Sequence, residues 1–169
     1  ISAGRLVPWK GFDELVNMMK DFPEYSLFIF GEGPDRARLE NIIRENAVRD
    51  RVFLMGQVDR KTLLSHIQGA SVFVLPSKFE SFSFQLVEAM MVGTPVVAYD
   101  IGNLSEIVVN GKSGILVPKD NKEELAKAIE NICSDTLLQE KLSEQAKIDA
   151  EEFSIENTVN ELEKELQNI

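Results

Sequence analysis

Five short, unbroken apolar runs punctuate the sequence: SLFIF (26–30), RVFLM (51–55), SVFVL (71–75), PVVAY (95–99) and GILV (114–117). A strand with one solvated face alternates apolar and polar residues. Unbroken apolarity therefore predicts strands buried on both faces, in a parallel sheet covered by helices. Between the runs, Phe12, Leu15, Val16 and Met19 fall at i, i+3, i+4 and i+7, and Leu39, Ile42 and Ile43 form a similar stripe. These are the crossover helices that parallel strands need. TLLSHI (62–67) has room for about two turns, and FQLVEAMMV (84–92) is apolar almost all round. The alternation predicts a Rossmann-like α/β fold: a doubly wound parallel sheet of about six strands, counting a first strand in ISAGRL, with helices on both faces. From Asn121 onward no run of this kind recurs. Three helical patterns follow each other over 121–169, the first capped by Asn121 with Glu124 three residues on.

At 169 residues the chain supports one core, and 1–169 reads as a single domain with the segment 121–169 as its helical end. A net charge of −10 argues against a nucleic-acid backbone or an anionic bilayer as partner, since both reward basic surfaces. The single Cys133 allows no internal disulfide and has no ligand cluster around it, so it reads as a structural thiol in a reducing, cytoplasmic setting. No apolar run approaches the roughly 20 residues that span a bilayer. The sequence opens without Met in what reads as the end of a strand, so a longer chain upstream is expected. In the tail, Ile155, Val159, Leu162, Leu166 and Ile169 recur at steps of four and three. This seam is too short for a free coiled coil and is expected to be frayed, or to pack on a missing domain or a second copy.

Ligands of an open α/β sheet bind beyond the carboxyl ends of its strands, which directs attention to four loops. In GRLVPWKG, Arg5 and Lys10 flank a helix start, where the helix dipole disfavours cations. Either both are solvated and offset by Asp13 and Glu14, or an anion such as a diphosphate gathers them with the helix-start N–H groups. GEGPD departs from G-x-G-x-x-G, because Arg36 stands where the third glycine belongs; a dinucleotide site is not expected. Gly31 and Gly33 read instead as a tight strand exit, with Pro34 at the first helical position. The Gly-Lys-Ser of NGKSGILV lacks the earlier glycine of a P-loop, Glu106 occupying that place. The lone His66 reads as a packing or surface residue.

In SKFESFSFQLVE, Glu80 lies in a strand-exit loop, Ser81 or Ser83 can cap the helix, and Glu88 lies about two turns into it. A carboxylate accepts hydrogen bonds only, and its two oxygens suit vicinal sugar hydroxyls such as those of a ribose. Glu88 has no cation three or four residues away. It therefore either holds a ligand or pairs with a distant Lys or Arg.

Arg5 and Lys10 in GRLVPWKG, then GEGP, Glu80 and Glu88 at an E-x7-E spacing, AMMVGTPVVA and EIVVNGKSGILVP run in order from residue 3 to about 150. Together they resemble the carboxyl-terminal half of a retaining family four glycosyltransferase with the GT-B fold. The resemblance implies a donor-binding domain for a nucleotide-diphosphate sugar, UDP-, GDP- or ADP-linked, working with an amino-terminal acceptor domain. A longer protein with peripheral membrane association is compatible with it, and the isolated domain is expected to be inactive. It further implies that Arg5 and Lys10 bind the diphosphate and stabilise the leaving group, that Glu80 contacts the donor sugar, and that Glu88 binds the ribose. Gly4 would lie at the donor, the backbone amides of Ser81, Phe82 and Ser83 would face sugar and phosphate, and the base would lie near Gln57 and Val58. No cofactor or divalent metal would be required. Many relatives carry glycine where Ser81 and Ser83 stand, which leaves the sugar open. A non-catalytic nucleotide-sugar-binding module and half of a GT-B sugar epimerase are the alternatives.

Overall fold

The computed structural model describes residues 1–154 together with Glu156, Asn157, Val159 and Glu163. Among the described residues six strands form: β1 (Ser2–Ala3), β2 (Leu27–Phe30), β3 (Val52–Gly56), β4 (Phe73–Leu75), β5 (Val96–Asp100) and β6 (Ile115–Pro118). The helices that accompany them are α1 (Phe12–Met18), α2 (Arg36–Glu45), α3 (Arg60–Gln68), α4 (Phe84–Met91), α5 (Leu104–Ile107), α6 (Lys122–Ser134) and α7 (Thr136–Ala150). Every strand pair is parallel, in two three-stranded ladders, β1-β2-β3 and β4-β5-β6. The ladders meet where the Val74 N–H donates to the Ile1 carbonyl at 2.9 Å and the Ser2 hydroxyl donates to the Val74 carbonyl at 2.6 Å. The spatial order is thus β3-β2-β1-β4-β5-β6. The direction of winding reverses between β1 and β4, which opens a crevice at their carboxyl ends.

Successive strand residues feed opposite cores. Val97 and Tyr99 of β5 pack with α1, α2 and α6, whereas Val96 and Ala98 pack with α3, α4 and α5. The same alternation holds in β4, where Val74 joins the first core and Phe73 and Leu75 the second. The doubly wound expectation is therefore met, and Phe12, Leu15, Val16 and Met19 are all buried in the first core. Asn121 caps α6 as expected: its Oδ1 accepts from the Glu124 N–H at 3.1 Å while its amide donates to the Glu124 carboxylate at 2.8 Å.

Burial on both faces fails at one edge. Phe28, Phe53 and Met55 are partly exposed, and the two Phe rings stack with centroids 5.0 Å apart. These residues lie on β2 and the edge strand β3, and α3 leaves that edge on its way to β4, so its second face stays open. The start of α2 also differs. Pro34 sits in the preceding turn and the helix begins at Arg36, while the Asp35 carboxylate is gripped by the Arg38 guanidinium through two 2.7 Å bonds instead of capping the helix. Of the tail seam, only Val159 is among the described residues, and it is exposed; Ile155, Leu162, Leu166 and Ile169 lie outside them.

Candidate functional site

The crevice is framed by the connections that leave β1 and β4. The first runs through Gly4 and Arg5 into a 3₁₀ turn, Pro8–Lys10, and reaches α1 through Gly11 in the left-handed conformation. The second runs from Pro76 to Ser83, whose hydroxyl accepts from the Leu86 N–H and caps α4. The two loops are fastened together: the Lys78 N–H donates to the Trp9 carbonyl at 2.8 Å, and a β-carbon on Gly11 would lie 2.1 Å from the Pro76 carbonyl oxygen. Close packing also explains Gly31 and Gly33, where β-carbons would fall 1.9 Å and 2.2 Å from the carbonyl oxygens of Gly4 and Leu6. The glycine loop thus braces the segment carrying Arg5.

Two residues singled out from the sequence meet directly. The Lys10 ammonium and the Glu80 carboxylate form an ion pair, with side chains only 14% and 11% exposed. The Ser77 hydroxyl adds a bond to the same carboxylate oxygen of Glu80 at 2.9 Å. Arg5 is exposed and bonds to no other described residue. The N–H groups of Ser81, Phe82 and Ser83 likewise donate to no described residue, in a fold where most such groups find acceptors. Three successive donors without an acceptor among the described residues suit an anionic or hydroxyl-rich ligand. The Phe82 ring turns toward Phe84 and Phe153, at 5.1 and 5.9 Å. Ser83 is buried by its capping role, so of the two serines only the exposed Ser81 projects a side chain outward.

Glu88 follows the second of its two readings and pairs with a distant arginine. Its Oε1 accepts from Arg60 Nε at 2.7 Å. Arg60 opens α3, directly after the loop of Gln57 and Val58, and its side chain is 73% exposed against 19% for Glu88. Gln57 is exposed, whereas Val58 is half-buried against the second core. One exposed salt bridge therefore joins the β3 exit to α4, leaving Glu88 Oε2 unbonded among the described residues. The two partners stand 28 residues apart, beyond any helical spacing. His66 is exposed and packs against the Phe30 ring at 5.0 Å, a surface role.

The buried carboxylate of this region is one that reads from the sequence only as an offset to Arg5 and Lys10. Glu14 in the first turn of α1 is almost wholly enclosed; the Tyr99 hydroxyl donates to it at 2.6 Å and the Lys78 ammonium lies 2.7 Å away. Lys78 is held protonated, its pKa raised by the bond to Glu14, while burial and then Glu14 itself push the Tyr99 hydroxyl upward. A second concavity, of about 560 Å³, lies at the other ends of the strands among Leu15, Phe22, Leu27, Val72, Ile129 and Cys133. No Arg or Lys lines it, so it offers nothing for a diphosphate.

The model of the family described as glycosyl transferases group 1 matches residues 1–149. An exopolysaccharide phosphotransferase of Streptomyces coelicolor is 36% identical over 166 residues, covering 95% of this chain and 17% of its own length. Among solved structures, a sucrose-phosphate synthase from Thermosynechococcus elongatus superposes with a TM-score of 0.87 at 30% identity, covering 99% of this chain and 45% of that one. Anabaena HepE, solved in complex with UDP, superposes with a TM-score of 0.91 at 24% identity, covering 99% and 48%. The chain spans less than half the length of each.

Proposed function

Because the chain belongs to the glycosyl transferases group 1 family, we propose that it is the donor-binding half of a retaining transferase that moves a hexosyl group from a nucleotide-diphosphate sugar to a glycan, glycolipid or other acceptor. One observation carries this reading: the Lys10–Glu80 pair joins the loops that leave β1 and β4, and the same two loops carry Arg5 and three backbone N–H groups that no described residue accepts. Two joined loops that hold cations suited to a diphosphate and a carboxylate suited to sugar hydroxyls support it. As the bond from sugar to phosphate breaks, charge grows on the departing diphosphate, and Lys10 and Arg5 stabilise it without a divalent metal. Glu80 keeps Lys10 oriented through their ion pair and takes donor-sugar hydroxyls when a donor binds. Glu88 offers its free Oε2 to the ribose while Oε1 keeps Arg60, and the base lies by Gln57 and Val58. The setting is cytoplasmic, with the acceptor supplied by an amino-terminal domain of the GT-B pair.

Calorimetry in EDTA with UDP, GDP and ADP against their nucleosides tests this. A nucleoside diphosphate binds without metal; Arg5→Ala and Lys10→Ala each remove about 1.5 to 3 kcal/mol from its binding and little from that of the nucleoside. Glu88→Ala weakens both alike. Obligatory metal, or Arg5 and Lys10 variants that leave diphosphate affinity intact, would overturn the reading. HepE was solved with UDP, which makes UDP the first probe.

A further inference from the structure

Glu14 is an expensive residue to have where it is. Its side chain is 2% exposed, and a buried carboxylate is tolerated only when paired and hydrogen-bonded. Here Oε2 accepts from the Tyr99 hydroxyl at 2.6 Å, and Oε1 lies 2.7 Å from the Lys78 ammonium and 4.0 Å from that of Lys122. An apolar trio of similar volume generally stabilises a fold as well or better, so stability alone does not account for a buried ion pair. Its geometry does something an apolar cluster cannot. Lys78 is held at both ends, its N–H by the Trp9 carbonyl and its ammonium by Glu14, with Asp120 also 3.6 Å from the ammonium. Trp9 precedes Lys10, and Lys78 stands two residues before Glu80. Next to Lys78, Ser77 donates to Glu80. One side chain therefore ties the loop bearing Glu80 to the helix that follows Lys10.

We propose that Glu14, Lys78 and Tyr99 form a positioning clamp that fixes the β4–α4 loop on α1 and so sets the spacing of Lys10, Glu80 and the N–H groups of residues 81–83, which no described residue accepts. The proposal rests on the donor-site reading above. None of the three touches the ligand; they act through the loop. The Tyr99 bond fixes the Glu14 carboxylate, and the ion pair from that carboxylate to Lys78 favours one placement of the loop, whereas apolar contact allows it to slide.

The test compares UDP with uridine in the full chain, in EDTA, for the parent, for Lys78→Arg and for the double variant Glu14→Gln with Lys78→Met. In the double variant glutamine keeps the Tyr99 bond and no buried charge is orphaned, so its melting temperature stays near the parent's. Its preference for UDP over uridine falls about tenfold, the effect of one misplaced charge-assisted bond, uridine affinity is unchanged, and amide exchange across residues 79–83 accelerates. Lys78→Arg, which keeps a cation on Glu14, keeps the parent preference. A double variant that is equally stable and keeps both the full preference and the slow exchange shows a merely structural cluster and overturns the clamp. A parent that does not prefer UDP, GDP or ADP to the nucleosides overturns the donor reading and the clamp with it. If the double variant fails to fold, Lys78→Gln, which leaves Glu14 its Tyr99 and Lys122 partners, gives the same comparison.

Discussion

Two glycines with nearly the same backbone angle test how tightly the site loops are packed. Gly11 has φ 70° and Gly111 has φ 75°, both in the left-handed region that disfavours a side chain. Around Gly111 nothing lies within 4 Å of the place a β-carbon would take, whereas at Gly11 the Pro76 carbonyl oxygen would be 2.1 Å away. Gly111→Ala therefore carries the conformational cost alone, about 1 to 2 kcal/mol. Gly11→Ala carries that cost and also drives the Pro76 carbonyl back by about 1.3 Å, the gap between 2.1 Å and the 3.4 Å at which ordinary contact begins. Overpacking of this kind adds about 1 to 3 kcal/mol. Urea unfolding with the slope checked for constancy gives the two losses directly, and a difference of about 2 kcal/mol between them is expected. Because the displaced loop carries Glu80, Gly11→Ala should also weaken nucleoside diphosphate binding while Gly111→Ala leaves it unchanged. Equal losses of stability in the two variants would refute the claim that the loops are in rigid contact at Pro76.

Three further outcomes follow from the same geometry. Tyr99→Phe deletes a hydrogen bond to an enclosed carboxylate and should cost about 1.5 to 3 kcal/mol in urea unfolding; a loss under half that would mean Lys78 alone satisfies Glu14. Glu88→Ala should change the stability of the ligand-free protein by about 1 kcal/mol or less, because its Arg60 partner is largely in water, and a large loss would show that the pair is structural. Burial raises the Cys133 thiol above its ordinary pKa, so alkylation at pH 7 should be slower than for a free cysteine and should climb as pH rises into the thiolate range; a fast, pH-independent reaction would contradict this.

The five apolar runs were legible as strands because burial on both faces writes itself into consecutive residues, and β2 to β6 each fall within one or two positions of a run. Local chemistry was equally readable at Asn121, where a cap and its glutamate sit three residues apart. The four-residue α5 left no periodic signal, being shorter than two turns. The open face at Phe28 and Phe53 was hidden for a different reason. An edge strand of this sheet is as apolar as a central one, and only the path of α3 decides which face is left uncovered. The Lys10–Glu80 contact spans 70 residues. It follows from the placement of β1 beside β4, which the order of elements along the chain does not display, although both residues were legible as strand-exit loop positions.

The two carboxylates Glu14 and Glu88 show where local reasoning inverts. Glu88 lies in a stretch apolar on nearly every side, which reads as a buried charge that holds either a ligand or a distant cation; Glu14 stands beside Asp13 at a helix start, where the pair reads as an offset to Arg5 and Lys10. In the structure Glu88 reaches water and an exposed arginine, and Glu14 is sealed under the β4–α4 loop. The inversion has one cause. Burial in a short helix depends on what lies across it, and for α1 the covering element is a loop far downstream that arrives only when the sheet reverses its winding between β1 and β4. The same reversal that opens a crevice for a donor thus encloses Glu14, and the charge needed to hold the loop lies outside the crevice because its partner, Lys78, belongs to the loop itself.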